Sequence, residues 1–215
     1  MDWIGSHLDD IWSLTREHAW LSAVPTLLGL LVSIPLGWTA RRWSWAYVPL
    51  VAGTGLLYTI PSLALFILMP LVLGTLVLDP LNVVVAMTVY TVALLTRTVA
   101  DALGSVPDDV VAAARAMGFG GVRRFFTVDL PLAVPVIGAG LRVAAVSNVS
   151  IVSVAAIIGI PQLGLLFTDG FKRSFYDPIV VGIIACIILA LLFDLIIIGV
   201  TRVLTPWQRA TAGVA

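Results

Sequence analysis

Residues 107–135 read PDDVVAAARAMGFGGVRRFFTVDLPLAVP, and this stretch decides how the rest of the chain is understood. It is the longest run able to live in water. It holds three of the twelve basic residues (Arg115, Arg123, Arg124) and three of the twelve acids (Asp108, Asp109, Asp129). Apolar segments long enough to cross a bilayer lie on both sides. The stretch is therefore a hydrophilic loop between two spans. The composition agrees: 60% of the 215 residues are hydrophobic, 11% are charged, and the mean hydropathy is +1.08. A soluble domain carries about 25% charged residues. The apolar runs reach 20 residues or more, unlike the ~10-residue alternation of a membrane β-barrel. The expected class is an all-α, polytopic membrane protein with a single membrane domain.

Several classes are excluded. A formal net charge of zero gives no basic footprint for nucleic acid. Cys186, the only cysteine, excludes an internal disulfide and a cysteine-cluster metal site. His7 and His18 are too few for a histidine metal cluster and are expected at the surface or an interface; no metal site is expected. The only lysine, Lys172 in TDGFKRS, has no phosphate-loop pattern around it, and neither HExxH nor GxSxG occurs. The chain is expected not to be an enzyme. The first eighteen residues carry Asp2, Asp9, Asp10 and Glu17 against Arg16 alone, so no cleaved signal peptide is expected.

Residues 1–18 are too polar to span. Trp3, Ile4, Leu8, Ile11, Trp12 and Leu14 recur near helical spacing, which predicts an external interfacial amphipathic segment. Spans are expected at about 19–40, 46–73, 83–104, 130–158 and 178–204, all in one domain, 19–204. Residues 46–78 read either as one bent span or as two short ones broken at Pro61. Five spans put Arg41, Arg42, the 105–129 loop, Arg202 and Arg209 on one side, as the positive-inside rule favours. The N-terminus is then outside, and the 205–215 tail is cytoplasmic. Lys172 and Arg173 fall in an external 159–177 loop, a mild exception. Trp38, Trp43, Trp45 and Tyr47 form an aromatic belt near the arginines. Arg97 and Asp101, four residues apart, are placed to pair. Ser105 and Asp108 resemble a capping box before a helix that Gly118, Gly120 and Gly121 end.

The loop also carries a pattern. Ala113 and Ala114 are followed by Gly118, nine residues, Val128, and then Leu130-Pro131. This resembles the coupling loop of bacterial ABC-importer permeases, E-A-A-x3-G-x9-I-x-L-P. Ala112 stands where that family has glutamate, so its carboxylate is absent here. YTIPSLALF (58–66), LLTRTVADALGSVPDDVVAAARAMG (94–118) and LPLAVPVIGAGLRVA (130–144) look like the subfamily that imports glycine betaine, carnitine, choline and other compatible solutes. GIPQLG (159–164) departs from that subfamily's glycine-richer segment. The similarity covers roughly residues 14–205.

The resemblance implies a type I ABC importer fold, similar to that of methionine permeases. It also implies a bacterial inner-membrane location, a second permease subunit, identical or homologous, and an external solute-binding protein. An ATPase would sit on each cytoplasmic loop. The ATP and magnesium would be held by that ATPase, with no cofactor on this chain. The residues matched to coupling are Ala112, Ala113, Ala114, Arg115, Gly118, Phe119, Val128, Leu130 and Pro131.

Two further residue sets stand out. Small and polar side chains suit a translocation path or helix packing: Tyr58, Thr59, Ser62, Tyr90, Thr91, Ser147, Asn148 and Ser150. Ionised groups inside a membrane are functional candidates. Arg142 and Asp194 both lie roughly 15–18 Å from the cytoplasmic ends of their spans. They are expected to pair, either as a structural link or as one that rearranges during transport. Other small solutes, such as an amino acid or a sulfonate, remain open as cargo, as does a stand-alone carrier.

Overall fold

The computed structural model describes residues 2–207, apart from the Asp2 side chain; Arg209 and most of the expected 205–215 tail lie outside the described residues. Its elements are α1 (Asp2–Ser6), α2 (Leu8–Arg42), α3 (Ser44–Tyr58), α4 (Ser62–Leu73), α5 (Pro80–Gly104), α6 (Asp108–Ala116), α7 (Gly121–Arg124), α8 (Leu130–Val152), α9 (Gly164–Lys172) and α10 (Tyr176–Leu204). A single π turn, Phe125–Asp129, feeds α8, and a 3-10 segment, Ser153–Ile158, extends it.

Among the described residues, four helical runs are long and apolar enough to cross a membrane: α2, α5, 121–158 and α10. The α3–α4 pair supplies a fifth if it counts as one span. Its two helices meet at 103°, much sharper than a bent rod. Pro61 causes the break. It has no N–H to donate, and it sits in extended backbone (φ −60°, ψ 133°) at the start of α4.

α5 is the central helix and packs against α2, α3, α4 and α8. Val83, Ala86, Met87, Leu95, Val99 and Ala102 along it are completely buried. It starts on Asp79, whose carboxylate accepts the Leu81 N–H at 2.9 Å, with Pro80 in the first turn. α2 lies along α5 because Gly29 and Gly37 leave room for it. A Cβ on Gly37 would come within 2.6 Å of Val99 Cγ1, and one on Gly29 would collide with Thr91. At the other extreme, α10 has a mean hydropathy of 3.1 but only 11% of its span is buried within the subunit. Its greasy surface is available to lipid.

The N-terminal segment departs from the sequence expectation. Residues 8–18 are not a separate short helix; they are the first three turns of the same 35-residue helix that becomes the first span. Two contacts fix this. Trp3 and Leu14 pack against the Val149–Leu163–Leu166–Leu189 cluster. His18, expected at a surface or interface, is 0% exposed. Its Nδ1 lies 2.9 Å from Gln162 Oε1 and its Nε2 lies 2.8 Å from the Val149 carbonyl. Burying the imidazole is tolerated because its N–H has an oxygen to donate to, whichever nitrogen carries it.

At the opposite end, Asp101 accepts from the Tyr47 hydroxyl at 2.7 Å and pairs with Arg97 at 3.4 Å, so the expected helix pair also ties α3 to α5. In the expected belt, Trp43 and Trp45 are exposed, whereas Trp38 packs on Phe125 with ring centroids 5.2 Å apart.

Candidate functional site

The loop between α5 and α8 carries two short helices, α6 and α7. Asp108 and Asp109 occupy the first turn of α6 and Arg115 the last, in agreement with the helix dipole. The expected capping box does not form: Ser105 donates instead to the Ala102 carbonyl at 2.8 Å, and Pro107 is the N-cap, with no side-chain hydrogen bond. The end of α6 is firmer. Gly118 sits at φ +80°, the Phe119 N–H reaches the Ala114 carbonyl (3.1 Å), and the Gly118 N–H reaches that of Arg115 (2.9 Å). This pair of bonds is a Schellman turn, which needs a left-handed residue and so favours glycine. A Cβ on Gly118 would meet nothing within 4 Å, so conformation alone restricts the position.

Ala112, Ala113, Arg115 and Gly118 are exposed, and Phe119 is half-buried beneath the Arg123 guanidinium, 4.7 Å from the ring centroid. Ala114, grouped with them in the sequence pattern, is 2% exposed. The helical period turns it inward, so it seats α6 and leaves the outer face to its neighbours. Val128, Leu130 and Pro131 are half-buried at the root of α8. Sequence reasoning missed what anchors that root. Arg124 pairs with Asp129 at 3.0 Å, largely buried, beside Phe125, which is 4% exposed. One carboxylate oxygen of Asp129 is buried without a partner among the described residues.

Arg142 and Asp194 meet. Nε donates to Oδ1 at 2.6 Å and Nη2 to Oδ2 at 2.9 Å, a two-pronged link from α8 to α10. It is not enclosed: the side chains are 42% and 21% exposed, on a cleft shared with Ala139, Val143, Val146 and Ser147.

The other polar candidates divide. Thr91 and Asn148 are buried at 1% and 2%. Asn148 Nδ2 donates to Thr26 Oγ1 and to Thr91 Oγ1, each at 2.8 Å, and both threonines donate back along their own helices. They form a lock joining α2, α5 and α8. They are not an open wall of this subunit, because the amide spends both hydrogens on the neighbouring hydroxyls. Tyr90 is also buried; its hydroxyl donates to the Ile60 carbonyl at the broken α3–α4 corner. Tyr58 crosses it edge-on, with centroids 5.6 Å apart. Tyr58, Thr59 and Ser150 are exposed, and Ser62 and Ser147 half-buried. Thr26 and Gln162 are the members of these networks that the sequence did not signal.

Comparison with known proteins gives a consistent picture. Residues 26–210 match the family described as binding-protein-dependent transport system inner membrane component. The chain is similar to the osmoprotectant import permease protein OsmW of Salmonella typhimurium, 35% identical over 96% of this chain and 98% of that protein. It is also similar to the glycine betaine/carnitine/choline transport system permease protein OpuCB of Bacillus subtilis, 27% identical over 89% and 87%. In three dimensions it resembles a chain of the inward-facing MetNI methionine ABC transporter, with a TM-score of 0.84 at 19% identity over 93% of this chain and 98% of that one. At that identity the likeness concerns the fold alone.

Proposed function

Because the chain belongs to the binding-protein-dependent transport system inner membrane component family and is a multi-pass inner-membrane protein, we propose that it is the membrane-spanning subunit of an ATP-driven importer of compatible solutes. Glycine betaine, carnitine, choline and related quaternary amines are the cargo class. The observation that carries this reading is the similarity to an osmoprotectant import permease over nearly the full length of both chains. The loop geometry supplies the means of coupling.

In this reading the N-terminus is outside and α6 faces the cytoplasm. A separate ATPase binds ATP and magnesium and grips α6 through the small exposed residues Ala112, Ala113 and Gly118, with Phe119 filling a pocket. The glycine turn and the buried Ala114 make α6 rigid, so closure of the paired ATPases moves it as a lever. The Arg124–Asp129 pair and Phe125 pass that movement to the root of α8. The half-open Arg142–Asp194 link lies near mid-bilayer, where uncovered charge is expensive. A second permease subunit covers that face, and the path runs between the two subunits past Ser147 and Ser150. An external binding protein delivers the solute.

The test is uptake of labelled glycine betaine into vesicles containing this chain, its ATPase and its binding protein. Uptake that requires internal ATP supports the reading. ATP-dependent uptake of an amino acid or sulfonate, without betaine, keeps the mechanism and replaces the cargo. Uptake without ATP or partner overturns it in favour of a stand-alone carrier.

A further inference from the structure

A cavity of about 360 Å³ opens where the first turns of α2, the helix α9 and the start of α10 converge. α2 runs from this cavity to Arg41 and Arg42 beside the coupling loop, so the two lie at opposite ends of the molecule. The volume is at the small end of the range for ligand sites.

Its lining combines three kinds of group. Trp3 and Phe175 give an aromatic wall, their rings crossing at 82° with centroids 6.0 Å apart, and His7 backs Trp3 in a stack at 4.5 Å. Leu14 and Leu166 give an apolar floor. Asp10 from α2, Asp169 from α9 and Arg173 from its C-cap bring both signs of charge to the rim. Among the described residues, none of these three side chains makes an ion pair or a side-chain hydrogen bond, although they share one small space. The rim is shaped by a tight turn. Ser174 holds a left-handed φ of 49°, which returns the Phe175 N–H to the Gly170 carbonyl at 2.9 Å. Arg173 and Phe175, the residues flanking that strained serine, both line the cavity.

We infer that this cavity is a binding site for a small zwitterion carrying an ammonium group and a carboxylate, separate from the translocation path. An ammonium, above all a methylated one, is stabilised by the aromatic wall of Trp3 and Phe175 and by the carboxylates of Asp10 and Asp169. A carboxylate on the same ligand fits the planar fork of Arg173, one turn from Asp169. A lone cation would leave Arg173 unsatisfied, and a lone anion would face two carboxylates. Both halves are needed to use the whole lining. The polar walls are exposed, so the affinity is about millimolar.

This site stands independently of the transport reading. The test uses the full chain alone in lipid nanodiscs, without binding protein or ATP, and follows saturation transfer to the methyl protons of glycine betaine by NMR. Tetramethylammonium serves as a probe of the cationic half. Saturable betaine binding is expected, weakened about tenfold or more in the Asp10→Asn/Asp169→Asn variant and in Trp3→Leu. Arg173→Gln should weaken betaine but leave tetramethylammonium unchanged. No transfer beyond empty nanodiscs, or binding unaltered in these variants, would overturn the site. Site-dependent binding without ATP-driven betaine uptake would keep this site and remove betaine as the cargo; uptake without such binding would keep the cargo and overturn the site.

Discussion

Two polar clusters on α8 show how differently one helix can use hydrophilic side chains. Arg142 and Asn148 are six residues apart, about 9 Å along the axis and about 120° around it. Asn148 faces inward. It is neutral, saturated by Thr26 and Thr91, and invisible from outside the subunit. Arg142 faces the cleft toward α10. It is charged, bound by a two-pronged link to Asp194, and still half-open. The first cluster holds three helices together once and for all. The second is left part-exposed by this chain alone. Burial and charge, more than residue type, separate the two clusters.

That contrast can be broken or sharpened by substitution. The largest effect is expected from Asp194→Asn or Arg142→Gln. Each strands one charged or polar partner at mid-membrane, and ATP-driven uptake should fall about tenfold or more, with the double variant partly restored. Equal uptake by all three variants would show that the link is dispensable. Asn148→Leu comes next: unfolding in mild denaturing detergent should become easier by about 1–2 kcal/mol, while the residual folded protein transports normally. A transport defect without destabilisation would move Asn148 from scaffold to path. Thr91→Val removes one acceptor from the same lock and should cost about 0.6 kcal/mol by the same measurement. Ser147→Ala, beside the ion pair but unbonded to it, should shift stability by less than about 0.5 kcal/mol and leave uptake nearly intact.

The sequence was informative where a physical signal is local. Long apolar runs marked the spans, and Arg41, Arg42, Arg115 and Arg124 gather around one cleft at the loop. Gly118 marked the end of α6, because a left-handed turn selects glycine. Equal depth along two spans was enough to bring Arg142 and Asp194 together. What stayed hidden depends on three-dimensional neighbours. The polarity of residues 8–18 pointed to a separate surface helix, yet His18 is paid no solvent at all, because Gln162 and Val149 supply its partners from 131 to 144 residues away. Hydroxyl-rich α8 read as either path or packing, and only the facing threonines decide which. Ala113 and Ala114 are indistinguishable by composition, and only the turn of α6 against its seat exposes one and buries the other.

The lever itself is open to one direct measurement. ATP hydrolysis by the assembled transporter in nanodiscs can be compared with and without solute-loaded binding protein, for the native chain and for Gly118→Val. An added Cβ meets nothing within 4 Å, so the permease should still fold and hold its ATPase, but the left-handed turn is disfavoured by about 1–2 kcal/mol and α6 loses its fixed end. The account predicts that the complex survives purification while stimulation by the loaded binding protein is largely lost. Undiminished stimulation in Gly118→Val would contradict the claim that α6 and its glycine turn transmit the force.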